Sequence, residues 1–338
     1  STGSIPFMKV VDSQMLAFNQ GVTRRGSYAA YMDISHPEIE EFMVMRKESG
    51  GDVNRKCLNL HNGVNITNAF LKAVEEDDDW RLIDPKTNEA VKIIKARELW
   101  SKLLDARAET GEPYIMFGDT VEEAMPEYQR ALGLKVHHSN LCSEITLPTT
   151  EDRTAVCCLS SVNLEEYDEW RDDDMFIPDL VRMLDNVLTF FIDNAPDELH
   201  RAKLSAQRER SIGLGAMGFH AYLQRQHIPF ESVLAKGANN RMFNRIKSEA
   251  VRATKQLAQE RGECPDGQGF GVRNAHLLAV APNASSSIIC GGTSPSIEPI
   301  RANVFTHKTL TGSFKVKNKY LKLLLEDKGI NNDKTWQS

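Results

Sequence analysis

Side chains that could do chemistry together stand close in the segment Asn140-Leu141-Cys142-Ser143-Glu144. Alternate residues of a strand share one face, so an extended segment would bring Asn140, Cys142 and Glu144 together. An amide, a thiol and a carboxylate supply a hydrogen-bond donor and acceptor, a sulfur atom and a general base. A free cysteine alone is more often a core residue than a catalyst, so this set gains meaning only from other motifs.

A second thiol motif, Cys157-Cys158, follows fifteen residues after Cys142. Neighbouring residues of a strand face opposite sides, so only one of these two thiols could share a pocket with Cys142. Two thiols facing one another would suit redox or radical chemistry. The alternative is that both are small core residues.

A serine-rich turn follows the apolar segment 276–281. Small hydroxyl residues at a strand-to-helix turn can present N–H and O–H donors to a phosphate group. The candidate phosphate ligands are Asn283, Ala284, Ser285, Ser286 and Ser287.

Two other motifs carry less weight. Gly213–Gly218 matches GxGxxG, but a dinucleotide-binding turn needs a hydrophobic strand before it, and Arg208-Glu209-Arg210-Ser211 is charged. Close packing between helices explains these small residues better. His137 and His138 are adjacent in sequence, so their side chains point in different directions. No Cys, Asp or Glu lies at helical spacing from them to complete a metal site, so none is predicted.

Composition places these motifs in an ordinary globular protein. The 338 residues carry a net charge of −6, so there is no general basic field for nucleic acid. Six cysteines without zinc-ligand spacing, no signal peptide and no membrane-spanning run indicate a reducing, cytoplasmic compartment. Alternating patterns predict one continuous α/β domain, with helices over 94–110, 178–193, 240–261 and 318–328 and strands over 141–147, 154–159 and 276–281.

Four motifs in a fixed order resemble those of one enzyme family. They are Asn-Leu-Cys-x-Glu-Ile from Asn140, Cys-x-Leu-Ser-x-x-Asn-Leu from Cys157, Pro-x-x-Ser-Ser from Pro282 and Pro-Ser-Ile-Glu-Pro from Pro295. With Arg25–Tyr31 and Arg210–Gly213, they make the chain similar to the large catalytic subunit of ribonucleotide reductase. Asn-Leu-Cys, in place of the Asn-Pro-Cys-Gly of cobalamin-dependent enzymes, favours the class I, two-subunit type.

The resemblance implies an α/β fold, the ten-stranded barrel of this family, present only in part. Residues 1–338 would be the central part of the catalytic barrel domain, without the N-terminal ATP-sensing region and the C-terminal tail. Such a piece is expected to be inactive in isolation. An alternative is a catalytically inactive nucleotide-binding remnant, and another is a hydrolase that pairs Cys142 with His137 or His138.

The resemblance also implies a role for each motif. Cys142 would be the thiyl radical that takes the 3′ hydrogen of a ribonucleoside diphosphate, Glu144 would take the 3′-hydroxyl proton, and Asn140 would hold the substrate hydroxyls. Cys157 would be one of two thiols that end as a disulfide. Leu141 and Ser143 would contact substrate, and the serine-rich turn would hold the diphosphate.

The remaining implications concern regulation and partners. The polar loop with Gly50, Gly51, Asn54 and Arg55 would read the base and relay effector identity, with Arg55 as its best candidate contact. No metal or cofactor would bind directly, because a metal-containing small subunit supplies the radical. The expected effectors are ATP and deoxynucleotides, and the expected reductant is a thioredoxin or a glutaredoxin. The other expected partners are the missing portions of the large subunit, and the complete subunit is expected to form a homodimer. No binding to a membrane or to nucleic acid is expected.

Overall fold

The computed structural model describes residues 2–20, 24–309 and 311–337. The chain divides into two compact units, Ser1–Arg153 and Thr154–Ser338, called here the first and second units. The largest buried hydrophobic cluster of each unit draws its residues from that unit alone.

The first unit is built on a parallel sheet of three strands. Its elements are α1 (Ile5–Ala17), β1 (Asn19–Gln20), β2 (Arg24–Arg25), β3 (Tyr28–Asp33), α2 (Ile39–Val44), β4 (Leu60–Ile66), α3 (Asn68–Glu76), β5 (Asp79–Ile83), β6 (Ala90–Lys95), α4 (Ala96–Thr110), β7 (Tyr114–Phe117), α5 (Gly118–Ala124) and α6 (Glu127–Ala131). The strand order of the sheet is β3-β4-β7, whereas β1 with β2 and β5 with β6 form antiparallel pairs. Strand β4 is mostly buried, as expected for the centre of a parallel sheet.

Helices α3 and α4 contribute apolar side chains to the core of the first unit. Phe70, Leu99 and Leu103 are fully buried in the core of the first unit. Helix α3 begins where the Thr67 hydroxyl accepts the amide of Phe70 at 3.1 Å. Helix α4 ends at Gly111, whose positive φ of 78° closes the helix as predicted.

The second unit combines a parallel strand pair with long helices. Its elements are β8 (Leu159–Asn163), α7 (Tyr167–Trp170), α8 (Phe176–Asn194), α9 (His200–Glu209), β9 (Gly213–Met217), α10 (Phe219–Arg225), α11 (Val233–Arg261), α12 (Ser286–Ile289), β10 (Val304–Thr309), β11 (Gly312–Lys317), α13 (Lys319–Asp327) and α14 (Asp333–Gln337). Strand β8 pairs with β9 in parallel, and β10 pairs with β11 in an antiparallel hairpin. Helices α8 and α11 supply much of the buried core.

The predicted helices are all present. Helix α11 is longer than predicted, because the Ser232 hydroxyl accepts the amide of Ala235 at 3.2 Å and begins the helix at Val233. Within the described part of the chain, no helix is long and apolar enough to cross a membrane.

The predicted strands need correction. Residues 141–147 form no strand, and residues 154–159 enter β8 only at Leu159. Residues 276–281 contribute one isolated bridge, from Leu278 to Leu214, rather than a strand. The apolar segment 276–281 contacts β9 only through irregular backbone hydrogen bonds, such as the one from the amide of Leu214 to the carbonyl of Leu277 at 2.8 Å.

The GxGxxG segment is itself a strand, so the prediction of packing between helices is wrong. A Cβ at Gly213 would lie 2.2 Å from Cδ2 of Leu159, and one at Gly215 would lie 2.2 Å from the carbonyl oxygen of Ala279. The glycines therefore allow β9 to lie tightly between β8 and the segment that follows Leu277. No hydrophobic strand precedes the motif, which agrees with rejecting a dinucleotide-binding turn.

Candidate functional site

The segment that carries Cys142 is a turn. The amide of Ser143 donates to the carbonyl of Asn140 at 3.3 Å, and Ser143 has a positive φ of 70°. A left-handed residue at this position breaks the alternation of an extended chain, so the predicted strand face does not exist. Cys142 lies within the turn and its side chain is exposed.

The turn nevertheless brings two of the three predicted residues together. The side-chain nitrogen of Asn140 donates to a carboxylate oxygen of Glu144 at 2.8 Å. The side-chain oxygen of Asn140 accepts the amide of Ile145 at 3.1 Å and the hydroxyl of Ser139 at 3.3 Å. One N–H of the Asn140 amide thus holds the carboxylate of Glu144 beside the turn that contains the thiol.

This turn borders a cleft of about 1040 Å³ in the first unit. Asn140 and Leu141 line it, together with residues at the carboxyl ends of the parallel strands, among them Asp33 and Ile66. The carboxyl edge of a parallel sheet is a common position for a ligand site. Cys142, Ser143 and Glu144 belong to the same turn but are not among the residues that line the cleft, so a small molecule in it would lie beside the turn that carries the thiol and the carboxylate.

Sequence reasoning assigned no role to Tyr31, which lines the same cleft. Its hydroxyl donates to the carbonyl of Asn140 at 3.0 Å. Burial raises the pKa of Tyr31, and hydrogen bonds with Ser143 and Ser139 offset part of that increase. In the sequence, Tyr31 stands out only as the last residue of a motif that resembles the family. Its contact with Asn140 could not be predicted, because the two residues are 109 positions apart.

The adjacent cysteines of the second unit have opposite environments. Cys157 is exposed, and Cys158 is buried, with its thiol donating to the carbonyl of Leu184 at 3.5 Å. Burial, with a contribution from Asp185, raises the pKa of Cys158 to about 11. Of this pair, Cys157 is therefore the thiol suited to redox chemistry.

The serine-rich turn is held together by Asn283. We assign its amide so that the oxygen accepts from the hydroxyls of Ser161 and Ser286 at 3.1 Å and the nitrogen donates to the carbonyl of Ala281 at 2.9 Å. Asn283 has a positive φ of 53°. Its side chain thus supports the turn from within.

The turn offers some of its predicted phosphate donors outward. Ser285 is exposed and Ser286 partly buried, whereas Ser287 is buried and its hydroxyl donates to the carbonyl of Ala284 at 3.2 Å. Ser285, Ser287 and Ala284 all line a second cavity of about 650 Å³.

The loop predicted to read the base is held by local contacts. Gly50 and Gly51 have φ of 74° and 72°, and Asp52 accepts the amide of Asn54 at 2.9 Å. The Arg55 guanidinium makes a bidentate ion pair with the carboxylate of Glu41. In this arrangement Arg55 is engaged, and it would have to release Glu41 before contacting a base.

Among the described residues, no group of three or more His, Cys, Asp or Glu side chains could hold a metal ion.

Comparison with known proteins places the chain in a family. The family profile described as "Ribonucleotide reductase, barrel domain" matches residues 1–268 and 266–338. A Frog virus 3 (isolate Goorha) protein, provisionally named a ribonucleoside-diphosphate reductase large subunit, is 54% identical over all of this chain and 60% of its own length. The ribonucleoside-diphosphate reductase large subunit of Invertebrate iridescent virus 3 is 44% identical over all of this chain and 62% of its own length.

A solved structure agrees with these sequence matches. The class Id ribonucleotide reductase alpha subunit of Actinobacillus ureae superposes with a TM-score of 0.84 at 34% identity, over all of this chain and 58% of that chain. The chain thus spans about three fifths of the length of the relatives it matches. The predicted fold, an α/β barrel of the ribonucleotide reductase type present in part, is confirmed. The chain belongs to the ribonucleotide reductase barrel-domain family.

Proposed function

We propose that residues 1–338 are the central part of the catalytic barrel of a large subunit that reduces ribonucleoside diphosphates to 2′-deoxyribonucleoside diphosphates. The observation that carries the proposal is the contact between Asn140 and Glu144, at 2.8 Å, around the turn that exposes Cys142. The turn carries a thiol, a base and a hydroxyl-binding amide, and its residues Asn140 and Leu141 border the cleft.

In the proposed reaction, a radical on the Cys142 sulfur takes the 3′ hydrogen of the ribose. Glu144 takes the 3′-hydroxyl proton while Asn140 binds the hydroxyls. Cys157 and a second thiol would give up two hydrogen atoms and form a disulfide: one hydrogen completes the water that leaves with the 2′-hydroxyl oxygen, and the other goes to the 2′ carbon. Cys142 would then return its hydrogen to the 3′ carbon, and Glu144 would return the proton to the 3′ oxygen. An S–H bond suits this exchange because its strength is close to that of a ribose C–H bond.

The other predicted contacts remain part of the proposal. Leu141 and Ser143 would contact the substrate, and the turn from Asn283 to Ser287 would hold the diphosphate through outward donors such as the hydroxyl of Ser285, with Ser286 contributing once its hydroxyl releases Asn283. The loop with Gly50, Gly51, Asn54 and Arg55 would read the base. Arg55 would first break its ion pair with Glu41 and then contact the nucleotide.

The partners would be those of the family. A metal-containing small subunit supplies the radical, a thioredoxin or glutaredoxin restores the thiols, and ATP or deoxynucleotides act as effectors. The complete large subunit would form a homodimer in the cytoplasm.

The test uses a complete large subunit that contains this segment, with its small subunit and a dithiol reductant. Cys142→Ser is expected to lose both tritium release from 3′-labelled substrate and deoxynucleotide formation, because an alcohol O–H bond is too strong for the exchange. The control, Cys290→Ser, alters an exposed cysteine outside the proposed site and should keep both.

Two other results would be decisive. Deoxynucleotide formation by Cys142→Ser would exclude the radical role. An unmodified subunit that binds nucleotide but forms no product would favour the inactive remnant instead.

A further inference from the structure

A side chain that the proposed reaction does not use joins the Cys142 turn to the sheet. The hydroxyl of Tyr31, in β3, donates to the carbonyl of Asn140 at 3.0 Å. The same carbonyl accepts the Ser143 amide that closes the turn, at 3.3 Å. One carbonyl oxygen thus links the turn to a strand far away in sequence.

The sheet fixes the place of this phenol. Tyr31 pairs with Gly63 of β4, and Gly63 pairs with Tyr114 of β7. A Cβ on Gly63 would lie 2.4 Å from Cε1 of Tyr31, so only glycine lets the ring lie across β4. The ring centroid also lies 5.9 Å from that of His138, on the chain leading into the turn. A side chain locked by a sheet is a suitable support for a reactive group.

The surroundings of the phenol keep it protonated. Burial raises the pKa of Tyr31 most, and the negative forms of Glu144 and Cys142 raise it further. The hydroxyl therefore remains protonated at neutral pH and acts as a hydrogen-bond donor to Asn140.

We propose that Tyr31 is a positioning residue for Cys142: its hydroxyl anchors the Asn140–Ser143 turn on the sheet and so fixes where the thiol stands. The inference rests on the proposed function for what the thiol does. The anchoring itself is independent of that function, and it can be measured on the full 338-residue chain.

The test compares Tyr31→Phe with the unmodified chain. Iodoacetamide alkylation of Cys142 and Cys290 is followed in the same sample by peptide mass spectrometry over a series of pH values. Without its anchor the turn samples more open conformations, and Cys142 should react faster by about 2- to 13-fold, the shift expected from one net hydrogen bond. Amide hydrogen exchange in residues 139–147 should rise by a similar factor, while Cys290 keeps its rate.

Two further variants sharpen the test. Tyr28→Phe, in the same strand but with a half-exposed side chain, is the matched control and should leave both rates unchanged. Gly63→Ala keeps the hydroxyl but displaces the ring, so it should reproduce the effect of Tyr31→Phe at Cys142.

The inference is overturned if Tyr31→Phe and Gly63→Ala both leave Cys142 and residues 139–147 unchanged. It is also overturned if Cys290 accelerates in parallel, since that would mean general loosening. The proposed function fails separately: a Cys142→Ser subunit that still forms deoxynucleotides removes the radical role and leaves the anchoring result intact.

Discussion

At the scale of single residues, the most informative contrast is between Cys157 and Cys158. They are neighbours in sequence, yet Cys157 is exposed, whereas Cys158 is only 7% exposed and its thiol contacts the carbonyl of Leu184. The sequence alone predicted that they face opposite sides but not which of them faces inward. The structure assigns the inward position to Cys158, because the core of the second unit includes its side chain.

This contrast predicts the order of thiol labelling in the folded chain. The thiolate is the reactive form, and a pKa of about 11 leaves roughly one thousandth of Cys158 ionised near pH 8. Cys142, Cys157 and Cys290 should therefore be alkylated in the native state, whereas the buried Cys57, Cys158 and Cys264 should react only in denaturant. Peptide mass spectrometry distinguishes them. Labelling of Cys158 before Cys157 would reverse the assignment and move the proposed reductant by one residue.

At the scale of elements, β9 depends on glycines that a sequence pattern associates with another function. Gly215 lies against the main-chain carbonyl of Ala279, which cannot move aside as a flexible side chain could. Strand β9 pairs with β8, so the fit of Gly215 also supports the strand that follows Cys157 and Cys158.

We expect Gly215→Ala to lower the free energy of unfolding by about 1–3 kcal/mol, the usual cost of overpacking a tight site. Gly237→Ala is the matched control, since a Cβ there meets nothing within 4 Å in the interior of α11. That control should raise the free energy of unfolding by about 0.5–1 kcal/mol. Urea denaturation measures both. Equal effects of the two substitutions would show that the close approach at Gly215 has no energetic weight.

The elements also show what a sequence can predict. Helices α4, α8 and α13 follow from their periodic apolar residues and their ends, as at Gly111. Residues 141–147 do not form a strand, because Asn140 bonds to Glu144 and Ile145 and Ser143 takes a left-handed conformation. Such side-chain bonds compete with sheet formation, and no period in the sequence records them.

The candidate site was predictable in composition rather than in geometry. The proximity of Asn140 and Glu144 was expected, although it arises from a turn and not from a shared strand face. The contacts of Tyr31 and Arg55 depend on partners that only the tertiary structure brings near.

At the scale of the whole molecule, each unit has its own core, and the second contains a buried ionic cluster. Asp185 is fully buried and contacts Arg210 at 2.8 Å, Arg261 at 2.9 Å and Arg273 at 3.4 Å. Burial alone would raise the pKa of Asp185, but the hydrogen bond and charge of Arg210, with the other arginines, hold it below its usual range. The folded state therefore favours the ionised carboxyl.

Replacing Asp185 by Asn should reveal this preference as a pH-dependent loss of stability. The substitution leaves Arg210 buried without its carboxylate, which typically costs about 3–5 kcal/mol. A carboxyl whose pKa is lower in the folded state stabilises the fold above its unfolded pKa of about 3.9. That contribution disappears as pH falls through the folded pKa. The difference in the free energy of unfolding between the unmodified chain and Asp185→Asn should thus be largest near neutral pH and shrink below about pH 4.

The location of this loss tests whether the two units unfold separately. The buried clusters are confined to single units, so Asp185→Asn should speed amide hydrogen exchange in β8, β9 and α8 and leave β3, β4 and β7 unchanged. Asp172→Asn, which alters a carboxylate that is 89% exposed beside Arg171, is the control and should change neither set. If exchange instead rises equally in the strands of both units, the chain unfolds as one cooperative body, and the separate cores do not define separate folding units.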